Sequence, residues 1–111
     1  MSEADDLDRE LREHYVSVGQ AKVDGLSAAL GAARRRPADP DSVERLRVLV
    51  HKIAGSAGSY GFDALGAAAK GLEKKILAAP SALPSDVLAA ADLFLAEMTA
   101  QFAAARGSDP G

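Results

Sequence analysis

His51-Lys52-Ile53-Ala54-Gly55-Ser56-Ala57-Gly58-Ser59-Tyr60-Gly61-Phe62-Asp63-Ala64-Leu65 decides how this chain is read. A histidine stands inside a strongly helical run, with glycines four and seven residues after it. A helix advances about 100° per residue, so His51, Gly55 and Gly58 fall on one side of it. A glycine inside a helix costs roughly 1 kcal/mol relative to alanine. This chain uses alanine freely, so two glycines beside one histidine read as a strip kept bare. A bare strip flanking an imidazole is what docking another protein onto that imidazole requires; close packing of a neighbouring helix is the rival reading of the same glycines.

Working outward, the central helix that carries this histidine has Asp41 and Ser42 as N-terminal capping candidates. Its core face reads Val43, Leu46, Val50, Ile53, Ala57 and Tyr60, a spacing of three and four. With Val50 inward, His51 sits about 100° away, on the flank near solvent. Along that flank lie Glu44, Arg47, His51, Gly55, Gly58 and Phe62. Arg47, one turn before His51, reads equally as a charge paired with Glu44 or as support for the histidine. Lys52 points beyond the strip, and Phe62 reads as core edge or as a docking contact. Ser56 lies on the opposite flank, Gly61 fits a left-handed C-cap, and Asp63 is placed to cap the next helix.

Before this helix, acidic residues near Asp5 and Asp6 suit a helix start. Apolar residues recur at Leu7, Leu11, Tyr15, Val18, Leu26, Ala29 and Ala33. Gly19 and Gly25 are soft points, a bend falls around His14 to Ser17, and Pro37 and Pro40 end the run. After it, a helix over Asp63–Ala79 turns Leu65, Ala68, Ala69, Leu72 and Ile76 inward, with no role evident for Gly66 and Gly71. Pro80 and Pro84 bracket a loop. Pro84 or Ser85 opens a last helix carrying Val87, Leu88, Ala91, Phe94, Leu95, Met98 and Phe102. The fold class is therefore all-α: long amphipathic segments joined by proline-marked loops form an antiparallel up-and-down four-helix bundle.

Composition narrows the function. At 111 residues one domain is expected, over residues 5–106, with a flexible 1–4 and a disordered 107–111 tail. The absence of cysteine excludes disulfides, thiolate metal sites and cysteine nucleophiles. A net charge of −3 gives no footprint for nucleic acid, and Arg34-Arg35-Arg36 reads as cations closing a helix C-terminus. No apolar stretch is seen to approach the roughly 20 residues that span a bilayer, and the acidic start Met1-Ser2-Glu3-Ala4-Asp5-Asp6 lacks a signal peptide's basic and apolar regions, so cytoplasmic residence is expected; with no obvious exposed apolar stripe, so is a monomer. His14 lacks convergent partners for a metal site, and no phosphate-binding glycine loop or nucleophilic triad is present. Neither ATP binding nor self-phosphorylation is expected.

The ordered set His51, Gly55, Ser56, Ala57, Tyr60, Gly61 and Leu65, followed by Leu72-Glu73, resembles the histidine phosphotransfer (HPt) domain family of multistep phosphorelays. The family's lysine three residues after the histidine is Ala54 in this chain. The resemblance implies a short N-terminal lid helix before the bundle and His51 as phosphoacceptor. It also implies docking or phosphoryl support from Arg47, Lys52, Gly55, Gly58 and Phe62. Implied partners are receiver domains of response regulators or hybrid histidine kinases. No cofactor of the chain's own is implied, because the receiver brings Mg²⁺. The alternative is an adaptor or inhibitor of the same fold that binds receivers or kinases without being phosphorylated.

Overall fold

The computed structural model describes residues 3–79 and 81–107. Among these described residues all regular structure is helical, with five α-helices: α1 (Glu3–Ser17), α2 (Gly19–Arg35), α3 (Pro40–Ser56), α4 (Asp63–Ala78) and α5 (Ser85–Gly107). A single 3₁₀ turn, Gly58–Tyr60, lies between α3 and α4. Helices α2 to α5 pack in a ring, α2 on α3, α3 on α4, α4 on α5 and α5 back on α2. Their three- and four-residue apolar periodicities meet in one core, where Leu26, Leu46, Val50, Leu65, Met98 and Phe102 are fully buried.

Local chemistry sets the boundaries. Pro40, expected to end the first run, instead opens α3 at its first turn, where a missing N–H costs nothing. The cap is accordingly Asp39 rather than Asp41 or Ser42. Its carboxylate accepts from the Asp41 N–H at 3.4 Å and from the Ser42 hydroxyl at 2.8 Å. The Ser42 hydroxyl first, with the Asp41 N–H adding to it, holds the Asp39 carboxyl below the usual range. Asp63 is the first residue of α4, with no side-chain cap before it. Gly61 takes the left-handed conformation (φ 88°) that ends the 3₁₀ turn, as its place in the sequence predicts. Beyond α2, the Leu83 N–H donates to the Pro37 carbonyl at 2.9 Å, tying the α2–α3 and α4–α5 connections together at one end. Pro80, expected in the second of these, lies outside the described residues, as do Met1, Ser2 and residues 108–111.

The break between α1 and α2 falls at Val18, one residue past the expected bend at His14 to Ser17. An aromatic cluster fixes it. Tyr15 stacks on Tyr60 at 4.5 Å between ring centroids and meets the Phe102 ring edge-on at 5.7 Å. Phe62 closes the cluster, edge-on to Phe102 at 5.5 Å. Gly19 is required there, since a Cβ would come 2.6 Å from the Phe102 ring. The Tyr15 hydroxyl shares a 2.9 Å hydrogen bond with Ser56, worth about 1 kcal/mol in such a setting, and burial of the phenol pushes its pKa up. Gly25 sits in open space and interrupts nothing.

Three expectations fail. Leu7, Leu11 and Val18 are exposed rather than core: α1 reaches the bundle through its last turn, where Tyr15 and Val16 are buried, and Val18 sits at the break beyond it. And α1, at 15 residues, is not short. The third concerns α5: Ser85–Ala105 is long and apolar enough, by length and composition, to cross a membrane. Alanines and the exposed Leu93 add to the apolar content of its outer side, which also carries Asp86, Asp92 and Glu97. Its inner side, Val87, Ala91, Phe94, Met98 and Phe102, is buried in the bundle.

Candidate functional site

Helix α3 presents its core face through Leu46, Val50 and Ile53. The residue after Val50 therefore turns outward, and the His51 side chain is 67% exposed. It is not free to swing. Nδ1 lies 2.9 and 3.1 Å from the two carboxylate oxygens of Glu73, which α4 carries on the side facing α3. The carboxylate is itself mostly covered, at 15% exposure, and Arg47 donates to it from Nη1 at 3.1 Å. Arg47 also donates through Nε and Nη2 to both oxygens of Glu44. The four side chains thus form one chain of contacts, Glu44–Arg47–Glu73–His51.

The electrostatics give each member a state. The His51 hydrogen bond, with Arg47 adding to it, holds the Glu73 carboxyl below the usual carboxylate range. Glu44 first, then Glu73, raises the pKa of Arg47, so the guanidinium stays charged. An ionised carboxylate only accepts, so Nδ1 carries the proton in the pair. In the neutral ring Nε2 is then the nitrogen with the free lone pair, and no partner meets it among the described residues. The arrangement is an exposed, oriented nucleophile whose far side is backed by a negative charge.

Because the folded pKa of Glu73 is lowered, its ionisation stabilises the folded state above the unfolded carboxylate pKa of about 4.3. That contribution is lost as pH falls through the lower folded value. A carboxyl-carbon NMR titration should place the Glu73 midpoint below about 4.3, and His51→Ala should move it upward, toward the ordinary value. An unchanged midpoint in the variant would mean that the pair does not form in solution.

The glycines divide by role. A Cβ on Gly55 would meet nothing within 4 Å, and Gly55 is exposed, so the surface one turn beyond His51 is bare. Gly58 is also exposed, with the Asp63 carboxylate 3.6 Å from where its Cβ would sit. Close packing belongs instead to Gly66, to which no role was assigned from sequence. It is buried, and its Cβ would stand 3.4 Å from the Gly58 backbone nitrogen and 3.8 Å from the Ala54 carbonyl.

Of the six residues singled out from sequence, His51, Arg47 and Gly55 lie on adjacent turns of one α3 flank, and Gly58 follows in the 3₁₀ turn. Lys52 is exposed but turned about 100° from His51, away from α4. Of the two readings of Phe62, core edge or docking contact, its burial fits the first. At 9% exposure it packs against Tyr15 and Phe102, with the Arg12 guanidinium over its ring at 5.7 Å. An aromatic just past a left-handed glycine is carried inward by the turn, toward the core. Glu73, the partner of His51, is not among the six, although the Leu72-Glu73 pair is a visible signal of it. Among the described residues no cluster of side chains is suited to hold a metal ion.

A helical bundle that holds one exposed histidine against a carboxylate of the neighbouring helix defines a class of protein built to present an imidazole to a partner. The chain belongs to the Hpt domain family, whose model matches residues 10–106. Hpt domains are phosphocarrier modules of His–Asp phosphorelays, not kinases, and they interact with receiver domains. No curated protein and no solved structure matches the chain.

Proposed function

We propose that the protein is a phosphorelay intermediate that takes a phosphoryl group from the aspartate of one receiver domain onto His51 Nε2 and gives it to the aspartate of another. The observation that carries this reading is the exposed His51 ring tethered through Nδ1 to the ionised Glu73. In the forward step the Nε2 lone pair attacks phosphorus, an N–P bond forms, and the acyl P–O bond breaks. Its electron pair leaves with the receiver's carboxylate. The Nδ1 proton stays in place, so the ring becomes positive and Glu73 lies against that charge. Return transfer reverses each change. Phosphoryl transfer asks mainly for positioning and charge compensation, and the Glu73 contact supplies positioning on this side. Mg²⁺ belongs to the receiver in this reading.

The bare surface at Gly55 is where the receiver's active-site loops approach. We take the ring of α2 to α5 as an antiparallel up-and-down bundle, with α1 as a lid on the aromatic end. The Leu83–Pro37 tie at one end and the Tyr15–Tyr60 stack at the other support that topology.

The test is incubation with a panel of phosphorylated receivers. An acid-labile, alkali-stable phosphate on the protein is the expected result. Receiver binding with no label from any donor would replace this reading with the adaptor one; neither binding nor label would leave only a helical bundle.

A further inference from the structure

A phosphoryl group on His51 brings close to two negative charges to its outer side. The surroundings are poorly prepared for them. Glu44, Arg47 and Glu73 together sum to −1, and all three donor directions of Arg47 in use go to those two carboxylates. A cation not already committed is needed beside Nε2.

Helix α4 carries a candidate on the flank that faces α3. Gly66 and Glu73, two turns apart, both face α3: Gly66 against Ala54 and Gly58, Glu73 against His51 and Arg47. Lys70 lies between them, four residues after one and three before the other, within about 60° of both around the helix. It therefore stands level with the α3 turn from His51 to Gly55. The close approach at Gly66 keeps the two helix surfaces near each other at that level. Lys70 is exposed, and its ammonium has no hydrogen-bond or ion-pair partner among the described residues. The other nearby lysines are placed worse. Lys74, one residue past Glu73, stands at the level of Arg47 rather than of Gly55, and Lys52 turns away from α4.

We infer that Lys70 is the phosphoryl-contacting cation of the site, its ammonium pairing with the oxygens of the phosphoryl group on His51 Nε2. This rests on His51 as phosphoacceptor. It assigns to α4 the charge that α3, with Ala54 on the facing turn, does not provide.

The test labels the purified protein chemically with phosphoramidate, so that no receiver is involved, and follows the ³¹P resonance of phosphohistidine with pH. A neighbouring cation lowers the proton affinity of a phosphoryl group. Lys70→Ala should raise that affinity about fivefold to tenfold, the range of an exposed charge-assisted pair. The difference should shrink at high salt. Lys70→Arg should behave as wild type, and so should Lys74→Ala. Restoring a cation across the interface, with Ala54→Lys in the Lys70→Ala background, should recover the lower affinity. Equal titrations for Lys70→Ala and Lys74→Ala on a labelled protein would overturn the assignment while leaving the carrier reading intact. A wild-type protein that takes label at His51 from neither phosphoramidate nor any receiver would overturn both.

Discussion

Replacing His51 with alanine is expected to reduce phosphoryl acceptance from every receiver to background while leaving the fold in place. The ring is mostly exposed and fills no core space, so the change in stability should stay within about 0.5 kcal/mol. Glu73 is not orphaned by the change, because Arg47 still donates to it. Acceptance measured by transfer of labelled phosphate, with thermal melts of both proteins, checks the two halves together. A variant that still takes acid-labile label would place the phosphoacceptor elsewhere, and His14 would be the remaining histidine. Glu73→Ala supplies the companion result. It leaves the nucleophile present but releases the ring and removes the negative charge behind it. Oriented proton-holding groups of this kind contribute about 10²-fold or more, so transfer should slow by about that factor without stopping. Wild-type rates in Glu73→Ala would reduce the carboxylate to a structural ion-pair partner.

The legible part of this molecule is the part governed by spacing within one helix. The alternation of three and four along Leu46, Val50 and Ile53 forces the next residue after Val50 outward, and His51 is outward. Prolines and the left-handed Gly61 marked connections because their backbone limits hold whatever surrounds them. What escaped was set between helices. Glu73 lies 22 positions from His51, and nothing in a single helix's periodicity says which turn of α4 will stand opposite which turn of α3. That register depends on how closely the two backbones approach, hence on Gly66, whose glycine looked incidental until its neighbours were in place. The same reason accounts for Leu7 and Leu11. Their spacing marks an apolar face, but a face is buried only where another element covers it, and the cover over α1 reaches only Tyr15 and Val16 among the described side chains. Phe62 stayed open between core edge and docking contact because helical extrapolation stops at the turn; the 3₁₀ turn and Gly61 direct it into the aromatic cluster.

Gly66 and Gly55 together should separate packing from docking more cleanly than either alone. At Gly66 even a Cβ lies 3.4 Å from the Gly58 nitrogen and 3.8 Å from the Ala57 Cβ, and the nearest of these is backbone that cannot rotate away. Leucine there must push α4 off α3, and overpacking of this kind costs about 1–3 kcal/mol or more. Helix propensity returns less than 1 kcal/mol of that, so the melting temperature should fall clearly. Because α4 also carries Glu73, the displacement should loosen the His51 contact and slow transfer as a consequence. Gly55→Leu should do the reverse. Its side chain enters open solvent, and the exchange of a helical glycine favours the folded state by up to about 1 kcal/mol. Stability should hold or rise while transfer falls by about a hundredfold, the scale on which a misplacement of about 1 Å acts on a reacting pair. Chemical labelling by phosphoramidate, which needs no protein partner, should be nearly unaffected by Gly55→Leu, since Nε2 remains exposed. A Gly55→Leu protein that transfers normally from every receiver would remove the docking role from this strip. The bare flank would then be a by-product of the helix, and the receiver would have to approach His51 from the α4 side, over Lys70.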